Sequence, residues 1–181
     1  MGIPAGTYRF GPDNATLALN TGRIGKVARA GHDLLIHVTA WEGTLAVGDD
    51  GADSSVEVSA DGGSMRVIEG TGGMKALDDD DKANIAQTID EEVLMKQGVT
   101  FRSTRVEPAG DGLHAVGDLT LLGHTHPLAL DVTLAGDGTL SAAAVIRQTD
   151  FGMKPYSALF GALKVADEVR VSLSAKIPPG V

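Results

Sequence analysis

The chain predicts an all-β domain of antiparallel hairpins, and three features of its 181 residues carry that reading. Turn-forming groups recur about every ten residues, at Gly11-Pro12-Asp13-Asn14, Gly48-Asp49-Asp50-Gly51, Asp61-Gly62-Gly63, Gly110-Asp111-Gly112 and Gly136-Asp137-Gly138. That spacing, with 24 glycines overall, is the punctuation of short strands joined by tight turns. Between the turns the residues alternate: Leu128, Leu130, Val132 and Leu134 point one way while Ala129, Asp131 and Thr133 point the other, which is the period of a half-buried strand. A sheet built this way over most of its length curls into a sandwich or a barrel with one apolar face.

Taken in order, the strands fall near 6 to 10, 14 to 20, 33 to 39, 42 to 48, 54 to 60, 63 to 69, 99 to 107, 112 to 122, 126 to 135, 138 to 148 and 167 to 177. One helix interrupts them. Asp78 to Asp81 precede Ile85, Ile89 and Val93 at i, i+4, i+8; acidic residues at a helix start satisfy free N–H groups and complement the macrodipole, so the pattern predicts a helix over 82 to 96 that packs on the barrel or closes one end. A second short helix is expected within 154 to 164, where Tyr156, Leu159, Phe160 and Leu163 share a helical face. That segment precedes the last strand, where it would form a lid or fill the core.

Composition removes several function classes. The net charge of -9 and scattered basic residues such as Arg23, Lys26 and Arg29 make nucleic acid a poor partner. The absence of cysteine excludes disulfides, thiolate zinc sites and cysteine nucleophiles. No apolar run approaches the roughly 20 residues of a transmembrane helix, and Met1 to Thr7 has neither a basic nor an apolar leader region, so a cytoplasmic protein is expected. Gly6 stands where a myristoylation signal needs Ser or Thr. The acidic run 78 to 81 lacks the alternating ligands and distal Glu of an EF-hand. His124 and His126 are the best metal candidates, with His32 and Asp33 approaching from elsewhere, but they flank a Gly and Pro turn where exposed histidines are ordinary. Ser157 is outside any nucleophile elbow, Glu91 and Glu92 sit on a solvated helix face, and Gly70 to Gly73 lack the lysine and hydroxyl of a phosphate loop. No metal, cofactor or catalytic residue is therefore expected.

The inward faces are aliphatic. By parity they include Leu17 and Leu19, Leu34, Ile36 and Val38, Val99 and Phe101, Leu119 and Leu121, Leu128 to Leu134 in alternation, Leu140, Ala142, Ala144 and Ile146, then Val169, Val171 and Leu173. Aromatic content is only 4%, and Ala142 and Ala144 place small side chains where a packed core needs bulk. Pattern alone leaves a hollow barrel and a filled one both open.

Three ordered motifs then narrow the reading. Val99-Thr100-Phe101-Arg102-Ser103 resembles the "itFxS" strand of the YceI-like family of lipid-binding proteins. Gly117 to Gly123 with Pro127 resembles its "GxLTixGxtxP" hairpin, and Arg147 to Met153, followed by Asp167-Glu168-Val169, resembles its "RxdFGi" signature. The N-terminal half agrees less: many members carry a histidine on the first long strand where this chain reads Leu17 to Thr21, so polar contacts of that histidine do not transfer.

The resemblance implies a single domain over residues 1 to 181, a lipocalin-like antiparallel β-barrel enclosing an apolar cavity. It also implies sequestration or transport of a long-chain apolar or amphiphilic ligand, such as a polyisoprenoid, an isoprenoid quinone precursor or a fatty acid derivative. The residues expected to meet that ligand are Leu19, Ile36, Phe101, Leu119, Leu121, Leu130, Val132, Ala142, Ala144 and Ile146, with Phe151, Met153, Tyr156 and Phe160 lining or covering the mouth. Two rivals stay open: a small barrel enzyme using His32, His37 or Asp33 on a hydrophobic substrate, and a solid-core interaction protein. A homodimer is also left open.

Overall fold

The computed structural model describes residues 2–51, 53–158 and 161–177. Eleven strands form one curled antiparallel sheet: β1 (Gly6–Phe10), β2 (Ala15–Thr21), β4 (His32–Val38), β5 (Trp41–Val47), β6 (Ser55–Ala60), β7 (Met65–Gly72), β8 (Val99–Ala109), β9 (Gly112–Leu121), β10 (His124–Leu134), β11 (Thr139–Arg147) and β14 (Glu168–Lys176). Their spatial order is β1-β5-β6-β8-β9-β10-β11-β14-β2-β4-β7. A second sheet of three short strands, β3 (Arg23–Ile24), β12 (Ser157–Ala158) and β13 (Leu163–Val165), lies at one end. The strands expected from alternation are all present within a few residues.

The curl is pinned at one corner. The Thr39 backbone N–H donates to the Ser64 carbonyl at 3.0 Å, and the Asp61 N–H donates to the Ala40 carbonyl at 3.0 Å. These bonds join the β4–β5 turn to the β6–β7 turn, so two strand pairs that are not neighbours in the sheet meet there. The helix α1 (Asp79–Thr88) then packs on β7, and a π-helical turn, Ile89–Val93, packs on the Gly62–Ser64 turn at the same corner. No described helix is long and apolar enough to cross a membrane.

Two expectations need correction. The first helix begins at Asp79 rather than 82, because Asp78 caps it: its side chain accepts from the Asp81 N–H at 2.8 Å, and the Asp81 carboxylate accepts from the Asp78 N–H at 3.3 Å. The run of four aspartates is thus split between a cap and the first turn, and regular helix gives way to a π turn ending at Val93 instead of continuing to 96. The helix expected within 154 to 164 is replaced by strands. Ser157 and Ala158 pair with Lys164 and Leu163, and Lys164 and Val165 pair with Ile24 and Arg23. The free edge of β3 and the turn geometry of Gly161, at φ 83, favour a hairpin over a helix. Leu159 and Phe160 lie outside the described residues.

Two of the motifs have a packing reason. Phe101 projects inward from β8 and is buried, and Gly117 on the neighbouring β9 leaves room for it. A Cβ on Gly117 would stand 2.7 Å from the Phe101 ring and 2.6 Å from the Ser103 Cα. Ser103 sits at the β8 bulge and its hydroxyl accepts from the Val56 N–H at 2.9 Å, extending the β6–β8 ladder past its last backbone pair. We predict that Gly117→Ala destabilises the protein by about 1–3 kcal/mol through overpacking, measured by urea unfolding; a variant as stable as the wild type would contradict this packing.

Candidate functional site

The curled sheet surrounds a cavity of about 550 Å³, within the ordinary range for small-molecule sites. Burial along single strands gives its axis. On β2, Leu17 is buried while Leu19 and Thr21 are half-buried; on β4, Ile36 and Val38 are buried while Leu34 and His32 are half-buried. On β11, Leu140 is buried but Ala142, Ala144 and Ile146 are not, and on β14 Ala175 is buried while Leu173, Val171 and Val169 are not. These partly accessible residues have inward parity, so what they face is the cavity. One end of the barrel is therefore packed solid, and the other is hollow.

The register explains the hollow. Ala142 pairs with Val132 and Leu173, and Ala144 pairs with Val171, so two successive inward positions of β11 contribute only a methyl each. Across the space stand Ile85, Ile89 and Val93 of the helical segment, the i, i+4, i+8 stripe, which lines the cavity together with Leu94. The helix forms a wall and leaves the interior unfilled.

Of the expected residues, Leu19, Ile36, Phe101, Leu119, Leu121, Leu130, Val132, Ala142, Ala144, Ile146, Met153 and Tyr156 line this one cavity. Phe151 does not. It belongs to the 3-10 turn Gln148–Phe151, is only 2% exposed, and its ring meets His126 edge-on with centroids 5.3 Å apart. It anchors the turn to the rim of β10 rather than covering the mouth. Leu134 keeps inward parity but packs against the core at the solid end, outside the cavity. Phe160 lies outside the described residues.

Sequence reasoning names His32 as a candidate acid or base and misses the other polar groups beside it. Thr21, Arg23, His32, Gln148 and Lys164 also line the cavity. Simple extension of the alternation finds three of them, since Arg23 and Thr21 continue Leu17 and Leu19, and His32 continues Ile36 and Leu34. The Arg23 guanidinium donates to the Gly31 carbonyl, and its Nε lies 3.6 Å from the Asp33 carboxylate. The His32 Nε2–H donates to the Lys75 carbonyl at 2.7 Å, and the Lys75 ammonium pairs with Asp81 at 2.9 Å. That hydrogen bond to Asp81 raises the Lys75 pKa, and Lys75 in turn holds the Asp81 carboxyl below its ordinary value. The chain of contacts ties β4 to the N-terminus of α1.

Of the three acid–base candidates His32, His37 and Asp33, His32 alone lines the cavity. Asp33 and His37 have the outward parity of β4, and Asp33 is engaged by Arg23. Among the described residues, the histidine and carboxylate that form an ion pair, His114 and Asp131 at 2.7 Å, are a cross-strand pair on the outer face. No group of three metal-ligating side chains occurs among the described residues.

The mouth is braced by the 148–151 turn. The Gln148 N–H donates to the Asp167 carbonyl at 3.0 Å, and its side-chain amide donates to the Ala166 carbonyl at 3.0 Å. The Asp167 carboxylate accepts from the Thr149 hydroxyl at 2.6 Å and from the Thr149 N–H at 2.8 Å. Thus the "RxdFGi" and Asp-Glu-Val motifs meet in space.

An antiparallel sheet curled round a largely aliphatic cavity defines the lipocalin-like class of β-barrels. Within that class the chain belongs to the YceI-like domain family, whose model matches residues 8–177. Among solved structures it is similar to Burkholderia cenocepacia BcnA, with a TM-score of 0.64 at 16% identity over 91% of this chain and 96% of that one. It is also similar to the Campylobacter jejuni YCEI protein, with a TM-score of 0.54 at 12% identity over 81% of this chain and 85% of that one. At these identities the likeness speaks to fold. No curated protein sequence matches the chain significantly.

The hydrogen bond donated by the Thr149 hydroxyl holds the Asp167 carboxyl below its ordinary value. A carboxylate lowered on folding stabilises the folded state above its unfolded value, roughly pH 4, and that contribution disappears as pH falls through the folded value. The wild type should therefore lose more stability than Asp167→Asn between neutral and acidic pH, by urea unfolding at each pH. Parallel losses in the two proteins would contradict this brace.

Proposed function

We propose that this protein sequesters or carries a long-chain apolar or amphiphilic molecule, such as a polyisoprenoid, an isoprenoid quinone precursor or a fatty acid derivative, within the barrel. The observation that carries this reading is the cavity of about 550 Å³ bounded by inward aliphatic residues that remain half-buried in the folded chain. Each buried methylene contributes roughly 0.8 kcal/mol, while association costs on the order of 4 to 15 kcal/mol. About 5 to 19 methylenes are consumed before net affinity appears, so the site selects for length. Ala142, Ala144, Leu130 and Ile146 supply the smooth wall such a chain needs, and Tyr156, Arg23 and Lys164 stand where its head would emerge. Membership of the family supports the same reading.

Ala142→Trp tests it. In a solid interior the added ring would cost about 1–3 kcal/mol or more. In a ligand cavity it takes the ligand's place, so stability should change by less than about 1 kcal/mol while binding of a fluorescent long-chain fatty acid is lost. Strong destabilisation, or normal probe binding, would overturn the proposal.

A further inference from the structure

Tyr156 both lines the cavity and is 46% exposed, which marks the opening. The small sheet of β3, β12 and β13 is built round that opening, and the Val27 N–H stitches the 28–30 turn to it by donating to the Ala162 carbonyl at 3.1 Å. The described segments that make this layer, 22–31, 152–158 and 161–166, carry Arg23, Lys26, Arg29, Lys154 and Lys164 and no carboxylate, in a chain with a net charge of -9. Lys26, Arg29, Lys154 and Lys164 are exposed. Among the described residues none of these four has an ion-pair partner, whereas Arg23 is held by Asp33. Between them Ile24 is 50% and Val27 38% exposed.

The neighbouring carboxylates are mostly engaged. Asp33 is paired with Arg23, Asp81 with Lys75, and Glu168 with Arg147 at 4.0 Å, while Asp167 accepts from Thr149. Asp150 lies on the 148–151 turn, and Asp78 caps α1 with Asp79 and Asp80 in its first turn.

We propose that this layer is a docking surface for an anionic phospholipid bilayer, which brings the mouth of the cavity onto the membrane. Cations near such a surface are attracted by its negative potential, and tyrosine with short apolar neighbours suits the interface between headgroups and acyl chains. An acidic protein would satisfy the charges, but it would leave unexplained why exposed apolar side chains and an apolar cavity open at the same place. For its purpose the proposal rests on the ligand-carrying reading, since a long apolar molecule concentrates in bilayers rather than in water. Its measurement is independent of that reading.

The test is flotation of the purified protein with vesicles of phosphatidylcholine alone, and of phosphatidylcholine mixed with phosphatidylglycerol. The protein should float with the mixed vesicles at low salt, stay behind with the neutral ones, and be released by high salt. Each near-surface cation contributes about fivefold. The combined variant Lys26→Gln, Arg29→Gln, Lys154→Gln, Lys164→Gln should therefore lower partitioning by about a hundredfold or more. The combined variant Arg102→Gln, Arg105→Gln, on the outer face of β8, should float as the wild type does. Equal flotation with both vesicle types, or undiminished flotation of the fourfold variant with its circular dichroism unchanged, would overturn the proposal. No flotation at all would also overturn it and leave an acidic protein as the surface's partner. The wild type's binding of the fatty acid probe, measured without vesicles, reports separately on the cavity.

Discussion

Uneven filling of the barrel by its inward side chains is the constraint on which the other features depend. At the solid end Phe10, Trp41, Leu113, Leu140 and Ala175 interlock and are buried. Toward the other end β11 presents Ala142 and Ala144 and β2 presents Thr21, short side chains that line the cavity without filling it. Atoms that line an empty space forfeit dispersion contacts on one side, and cavities in protein interiors reduce stability in proportion to their volume. The proposed chain-like guest would restore those contacts. By mass action a ligand bound only to the folded state also stabilises it, which would link the cavity energetically to the proposed cargo.

The same asymmetry orders the periphery. The solid end carries the corner where Thr39 and Asp61 bond to Ser64 and Ala40, and it holds the curl in place. The hollow end carries the short sheet, the 148–151 brace and the network from His32 through Lys75 to Asp81. A packed base with a mouth built from loops would let the proposed cargo enter without opening the main sheet.

Most of the fold was legible because its information is local. Period-two alternation and turn glycines locate strands residue by residue, and parity then assigned Leu19, Leu130, Ala144 and Ile146 to one space without knowledge of strand order. The misses have physical causes. Residues 154 to 164 carry a helical spacing of apolar residues, yet the unpaired edge of β3, distant in sequence, recruits Leu163 to Val165 as a strand. Phe151 was assigned to the mouth because it follows a family signature, but the 3-10 turn swings its ring onto His126, a contact no spacing rule contains. Four identical aspartates gave no means of choosing which one caps the helix. Arg23 and His32 were readable by continuing the alternation beyond the apolar residues, where the pattern stops looking hydrophobic while the strand face continues inward.

The central claim is that the hollow half of the barrel exists to hold a long apolar chain. Mass spectrometry of the natively purified protein, paired with analysis of its organic extract, addresses that claim most directly. The account predicts a complex of one chain with one long-chain hydrophobic molecule, and recovery of that molecule in the extract in equal amount. A bare chain, still bare after incubation with total membrane lipid, would contradict it.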